Sequence, residues 1–155
     1  MKKNNLDKIV VDTNIVFSAL LNSNSKIAKI LLNSKNHFKF YSCNFLRTEL
    51  LKHRKKIIDF TKLSPQKLNE LEFLLVENIS FINEELLPKE IISDTEILLV
   101  DIDLKDTPIV ALTKYLSAKL WTGDKKLLLG LNDKKFINTY TTLQLLELFD
   151  YLERN

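Results

Sequence analysis

Apolar and polar positions along the 155-residue chain change period several times, and each change marks a predicted element. Residues 8–12 carry the β-branched run Ile9-Val10-Val11 between polar neighbours, which predicts a strand, and from Asn14 to Leu32 the spacing becomes helical. Residues 37–43 alternate Phe38, Phe40 and Ser42 with Lys39, Tyr41 and Cys43, a second strand, before a helix from about Asn44 to Phe60. Ser64-Pro65 has the form of an N-cap with proline in the first turn, and Leu68, Leu71, Leu74 and Leu75 supply the stripe of a third helix. A strand is expected at 79–83, whereas 94–103 fits either a helix or a strand. Thr107-Pro108 repeats the N-cap and proline start ahead of Ile109, Leu112 and Leu116. Residues 119–122 read as a strand and 136–140 as a short edge strand, and Thr141 and Gln144 stand at capping-box spacing before a last helix bearing Leu145, Leu146, Leu148, Phe149 and Leu152. Short strands alternating with helices predict a parallel sheet covered on both faces, a three-layer α/β/α sandwich.

No long linker, fixed repeat or low-complexity segment interrupts this pattern, so one domain over residues 1–155 is expected. A hydrophobic content of 45% suffices for a core without staples. One cysteine, Cys43, excludes an intramolecular disulfide and fits a reducing compartment, with core packing as its expected role. Apolar runs such as 15–21 fall well short of the ~18 residues a membrane span needs. The start Met1-Lys2-Lys3-Asn4-Asn5 leads into Asp7, Lys8 and Asp12 instead of an apolar stretch, so a cytoplasmic protein is expected. A net charge of +3 says little alone, but its distribution says more. Residues 47–56 carry Arg47, Lys52, His53, Arg54, Lys55 and Lys56 against Glu49 alone, whereas 84–106 hold eight acids and two lysines. Two solvated faces would explain this, as would a basic surface for phosphates beside an acidic pocket for metal.

In open parallel sheets ligands bind beyond the carboxyl ends of the strands. Asp12 ends the first predicted strand and Asp124 follows a late one in Leu120-Trp121-Thr122-Gly123-Asp124. Each has an ordinary alternative, Asp12 as a helix N-cap and Asp124 as a turn residue. Asp106 precedes Thr107-Pro108, where the helix dipole favours a carboxylate regardless of chemistry. Glu49 lies about 80° from the centre of the Leu46, Leu50 and Ile57 stripe, at the edge of the buried face, where it is either a site residue or a solvent-facing partner of His53. Two carboxylates ~4 Å apart repel by roughly 4 kcal/mol at an effective dielectric of about 20, so a cluster must share protons or hold a cation. Oxygen-only ligands favour magnesium or manganese over zinc.

Four segments together resemble the PIN-domain nucleases, over nearly the whole chain: Val10-Val11-Asp12-Thr13-Asn14; Phe45-Leu46-Arg47-Thr48-Glu49-Leu50; residues 101–112, with Asp101, Asp103, Asp106 and Thr107-Pro108; and Leu120-Trp121-Thr122-Gly123-Asp124-Lys125-Lys126-Leu127-Leu128. The resemblance implies a magnesium- or manganese-dependent endoribonuclease, commonly the toxin half of a bacterial toxin–antitoxin pair. It also implies that Asp12, Glu49 and Asp106 are metal ligands, with Asp124 a ligand or the holder of the attacking water. Asn14 and Thr122 would fix those carboxylates, although each also suits a local turn or cap. Asp103 is a spare acid, and the sequence does not decide between it and Asp106.

Attack by an activated water on an RNA phosphodiester follows, with no covalent enzyme intermediate. Cys43, His37 and His53 stand in no nucleophile–base motif. Arg47, Lys52, Lys125 and Lys126 are expected on the RNA backbone because they lie close in sequence to the acids. Beyond RNA, the implied partners are an antitoxin and a second copy of the chain, through leucine-bearing helices that core packing explains equally well. The rival readings are a catalytically silent PIN-like module binding RNA or protein, and an aspartate-nucleophile phosphatase. The latter predicts an aspartate two residues after Asp12, where Asn14 stands. No Gly-rich loop follows any strand, which disfavours a nucleotide-binding fold.

Overall fold

The computed structural model describes residues 5–136 and 138–155. Its sheet is built from β1 (Asp7–Val11), β2 (Phe38–Cys43), β3 (Ile79–Ile82), β4 (Lys119–Trp121) and β5 (Thr139–Tyr140), in the order β3-β2-β1-β4-β5 with every pairing parallel. Parallel strands need long crossovers, and the helices that supply them cover both faces. Alternation along each strand divides the core accordingly: Ile9, Val11, Phe38, Phe40 and Trp121 face one layer, Val10, Cys43 and Leu120 the other. The first layer is formed by α1 (Thr13–Leu21), α2 (Lys26–Asn33), α3 (Phe45–Lys52), α4 (Arg54–Thr61), α5 (Pro65–Val76) and α9 (Thr142–Arg154). The second is formed by α6 (Lys89–Leu99), α7 (Thr107–Tyr115) and α8 (Lys125–Asp133). The three-layer α/β/α expectation is met.

The elements differ from the periodicity in several ways. The helix expected over 14–32 is two helices, bent by 109° at Asn22-Ser23-Asn24-Ser25. Asn22 leaves helical conformation and its side chain accepts from the Asn24 N–H, while Ser25 caps α2 by accepting from Ala28 N–H. The apolar stripe resumes in phase beyond the bend, which hides the break from periodicity. The helix expected over 44–60 is also two, parted at His53 without glycine or proline. Of the stretch 94–103 left open between helix and strand, residues up to Leu99 are helical and the rest is a turn, and α8 was not foreseen. Thr107 is not an N-cap: Asp106 occupies that position, and the Thr107 hydroxyl donates to the Leu104 carbonyl at 2.7 Å. The edge strand expected over 136–140 is β5, two residues long, with Ile137 outside the described residues. The capping box of Thr141 and Gln144 forms as its spacing predicts.

The chain runs outward from β1 through β2 to β3, then crosses back to place β4 on the other side of β1. Loops leaving β1 and β4 therefore diverge in opposite directions and open a crevice at their carboxyl ends. Among the described residues no single helix is long and apolar enough to cross a membrane.

Candidate functional site

Asp12 leaves β1 at that crevice, with its own N–H bonded to the Trp121 carbonyl of β4 at 3.0 Å. It caps α1: Oδ1 accepts from the Thr13 N–H at 2.7 Å. Its other oxygen is equally engaged, since Oδ2 accepts from the Thr122 hydroxyl at 2.8 Å and from Asn14 Nδ2 at 3.4 Å. The capping role thus leaves this carboxylate on the crevice, with its orientation fixed from three sides. Only 8% of Asp12 is exposed. Burial raises its pKa above the ordinary 3.8, the Thr122 and Thr13 bonds oppose the rise, and the nearby Asp124 charge adds to it.

Thr122, 1% exposed, joins the two strand ends. While donating to Asp12 it accepts from the Asp124 N–H at 3.1 Å and from Asn14 Nδ2 at 3.4 Å. Asn14 completes the bridge by accepting from the Gly123 N–H at 3.2 Å through Oδ1. Asp124 caps α8 by accepting from the Leu127 N–H at 3.1 Å. Asp106 differs, because it stands at the N-cap position of α7 and makes no capping bond there. Its Oδ2 is buried without a hydrogen-bond partner, as is the Thr13 hydroxyl; these are the two such side-chain atoms among the described residues. Burial first, then the charges of Asp12, Asp103 and Asp124, push the Asp106 carboxyl up to about 7, with Lys126 pulling the other way.

Asp12, Thr13, Asn14, Glu49, Asp106 and Asp124 line one open cleft of about 680 Å³. Glu49 reaches it from α3 and lies 3.7 Å from His53 Nε2, so pairing with His53 does not take it out of the cleft. Asp103 does not line the cleft: it accepts from the Lys105 N–H at 3.0 Å, capping the 3₁₀ turn at Leu104–Asp106 and acting on Asp106 only through its charge. Among the four cations expected on RNA, Lys52 lines the cleft, and Lys126 is near enough to lower the Asp106 pKa. Lys125 is not among the lining residues. Arg47 turns away, with its guanidinium 4.0 Å over the Phe81 ring, because residues 47 and 49 of one helix point about 200° apart.

Sequence reasoning missed Thr13, Phe17, Phe45, Lys56 and Lys105 in the lining. Lys105 was foreseeable as the neighbour of Asp106, whereas Lys56 was not, because the break at His53 takes it off the helix of Lys52. Cys43 is buried, and its thiol is pushed up to about 12 chiefly by that burial, which leaves it unreactive.

Whether these residues suit a divalent cation can be tested on the donors themselves. As arranged, no three His, Cys, Asp or Glu side chains among the described residues close on a common point. What fits a cation is the donor chemistry: all-oxygen groups, two carboxyls raised chiefly by burial and further by neighbouring acids, and two buried oxygens with nothing to bond. A hard cation relieves both costs at once.

Among curated proteins, none matches the sequence. Among solved structures, the fold is similar to a chain in the crystal structure of VapBC2 from Rickettsia felis bound to a DNA fragment from their promoter, with 14% identity, a TM-score of 0.62, and coverage of 86% of this chain and 96% of that one. A family model described as PIN domain matches residues 10–145, spanning all four acids, and this chain therefore belongs to the PIN domain family, whose members are generally nucleases.

Proposed function

We propose that the chain, as one PIN-like domain over residues 1–155, is a magnesium- or manganese-dependent endoribonuclease working in the cytoplasm. The observation that carries this reading is the pair of unpartnered buried oxygens, Asp106 Oδ2 and Thr13 Oγ1, on a cleft lined by Asp12, Glu49, Asp106 and Asp124. A folded chain leaves such atoms bare only rarely, and a cluster of acids around them is costly unless something cationic joins it.

Asp12, Glu49 and Asp106 would hold the cation, with Asp124 as a further ligand or as the acceptor that orients the attacking water. When bound, a divalent cation offsets charge on phosphate oxygens and makes water a nucleophile at neutral pH. The chain's own residues do the positioning. Thr13 N–H, Thr122 and Asn14 hold Asp12 in one rotamer, so its negative charge is aimed into the cleft before a substrate arrives. Thr122 and Leu127 fix Asp124 through its N–H and carboxylate. Asp106, its carboxyl pushed up to about 7, would hold a bound cation in its ionised form and shed its proton to do so. Lys52, Lys56 and Lys105 set cations on the same cleft, where they attract the phosphate backbone that the acids alone would repel.

The similarity to a chain of the VapBC2 assembly supports a toxin role for this nuclease, with an antitoxin as its partner. End-labelled single-stranded RNA incubated with the protein in magnesium or manganese tests the reading, beside EDTA and the Asp12→Asn variant. Cleavage that requires both the metal and Asp12 is expected. RNA left intact but bound would favour the silent binding module.

A further inference from the structure

The cleft holds more than acids and a cation site need. Phe17 of α1 and Phe45 of α3 line it alongside the carboxylates, and both rings are only partly buried: one side of each packs on the core while the rest faces the cleft. The Phe17 ring is braced edge-on by His53, with ring centroids 5.9 Å apart at 72°. The break at His53 between α3 and α4 brings Lys52, His53 and Lys56 to the same wall. Neither ring can hold metal, packing on the core accounts for only one side of each, and a half-open aromatic surface in an open cleft is costly until something flat covers it.

We infer that Phe17 and Phe45 form a nucleobase platform, on which a base of a single-stranded RNA stacks while Lys52 and Lys56 hold the neighbouring phosphates. This rests on the nuclease reading above and deepens it by assigning substrate-binding residues outside the acids. Three features of the cleft converge on that ligand. A base has two apolar faces that match a half-exposed ring, its flanking phosphates match lysines, and the combination of aromatic platform and basic groove is how single strands are held without reading sequence. Volume agrees, because about 680 Å³ accommodates more than a lone phosphate and falls within the ~300–1,000 Å³ of ligand-binding clefts. A duplex, with its bases stacked on one another, offers the rings nothing. The platform therefore selects unpaired strands by stacking, and places the cut beside the stacked base.

The test is binding, kept apart from cleavage. Short single-stranded RNAs carrying 2-aminopurine at successive positions are titrated into the wild-type protein in EDTA and into Asp106→Asn protein in magnesium. Matching RNAs with an abasic site at the same position serve as controls. Stacking quenches the reporter at one or two positions. Phe17→Leu and Phe45→Leu, which keep apolar bulk for the core, are expected to abolish that quench and to weaken binding of the base-bearing RNA by about 5- to 100-fold, while abasic RNA binds all proteins alike. Lys52→Gln with Lys56→Gln is expected to lower the salt dependence of binding while the quench at saturation stays.

Equal binding of base-bearing and abasic RNA by wild type, or leucine variants that bind and quench as wild type does, would overturn the platform, as would no RNA binding in either condition. Ring-dependent binding without any metal-dependent cleavage by wild type would keep the platform and sink the hydrolase instead.

Discussion

Asp106→Asn removes one negative charge from the cleft without changing the side chain's size, and the structure sets both sign and scale for the effect. The Asp106 carboxyl is raised from 3.8 to about 7, by burial first and by Asp12, Asp103 and Asp124 next. Between about pH 4 and 7 the folded chain therefore binds more protons at this site than the unfolded chain does, and stability falls as pH rises through that window. At about 1.36 kcal/mol per pH unit, a fully sheltered carboxyl moved that far carries about 4 kcal/mol. Asp106 is only partly shielded from solvent, and halving the figure for screening leaves about 2 kcal/mol. Urea denaturation in EDTA should find Asp106→Asn close to wild type near pH 4 and more stable by about 2 kcal/mol near pH 8, with the m-value unchanged. Excess magnesium should reverse the order near pH 8, because a ligand at 100 times its Kd adds about 2.7 kcal/mol to the protein that binds it. If Asp106→Asn were no more stable than wild type near pH 8 in EDTA, the picture of a strained acid cluster would be wrong.

Three other outcomes follow from local geometry. Thr122→Val keeps the volume but strips Asp12 Oδ2 of its shortest bond and leaves the Asp124 N–H bare, which should cost about 2–3 kcal/mol in the same denaturation assay, whereas Thr122→Ser keeps the hydroxyl and most of the stability. Gly130→Ala gains helix propensity in α8 but drives its Cβ to 2.6 Å from Ile102 Cδ1, so a net loss of about 1–2 kcal/mol is expected from thermal melts, relieved when Ile102→Ala accompanies it. Cys43, buried with its thiol pushed up to about 12, should resist alkylation in the folded protein at pH 8 and react at once in urea, by mass spectrometry of quenched samples.

The sequence reveals most where one residue answers one physical demand. Ile9-Val10-Val11 is a strand because both faces of a parallel strand are buried, and Asp12 and Asp124 are identifiable from the sequence alone as acids at strand ends. Ser64-Pro65 and the Thr141–Gln144 box mark helix starts with local chemistry alone. Legibility fails where tertiary packing decides. The stripe of α1 and α2 continues through a 109° bend, so only the short polar quartet between them marks the break. His53 ends one helix and starts another with no breaker residue, yet that elbow brings Lys56 to the cleft. Asp103 and Asp106 are indistinguishable in sequence, and the 3₁₀ turn separates them by bonding the first and leaving the second bare. Thr13 hid as the first residue of a helix, and Phe17 and Phe45 as members of apolar stripes.

Binding of manganese, followed by the loss of the free-ion EPR signal, tests most directly whether the carboxylates of Asp12, Glu49, Asp106 and Asp124 make one cation site. Wild-type protein should take up the ion saturably at neutral pH. Asp12→Asn and Asp106→Asn should each weaken uptake by at least the ~10–100-fold seen when a ligand merely loses its supporting partner. Uptake by both variants equal to that of wild type, or no uptake by wild type, would contradict the site and the hydrolytic reading built on it.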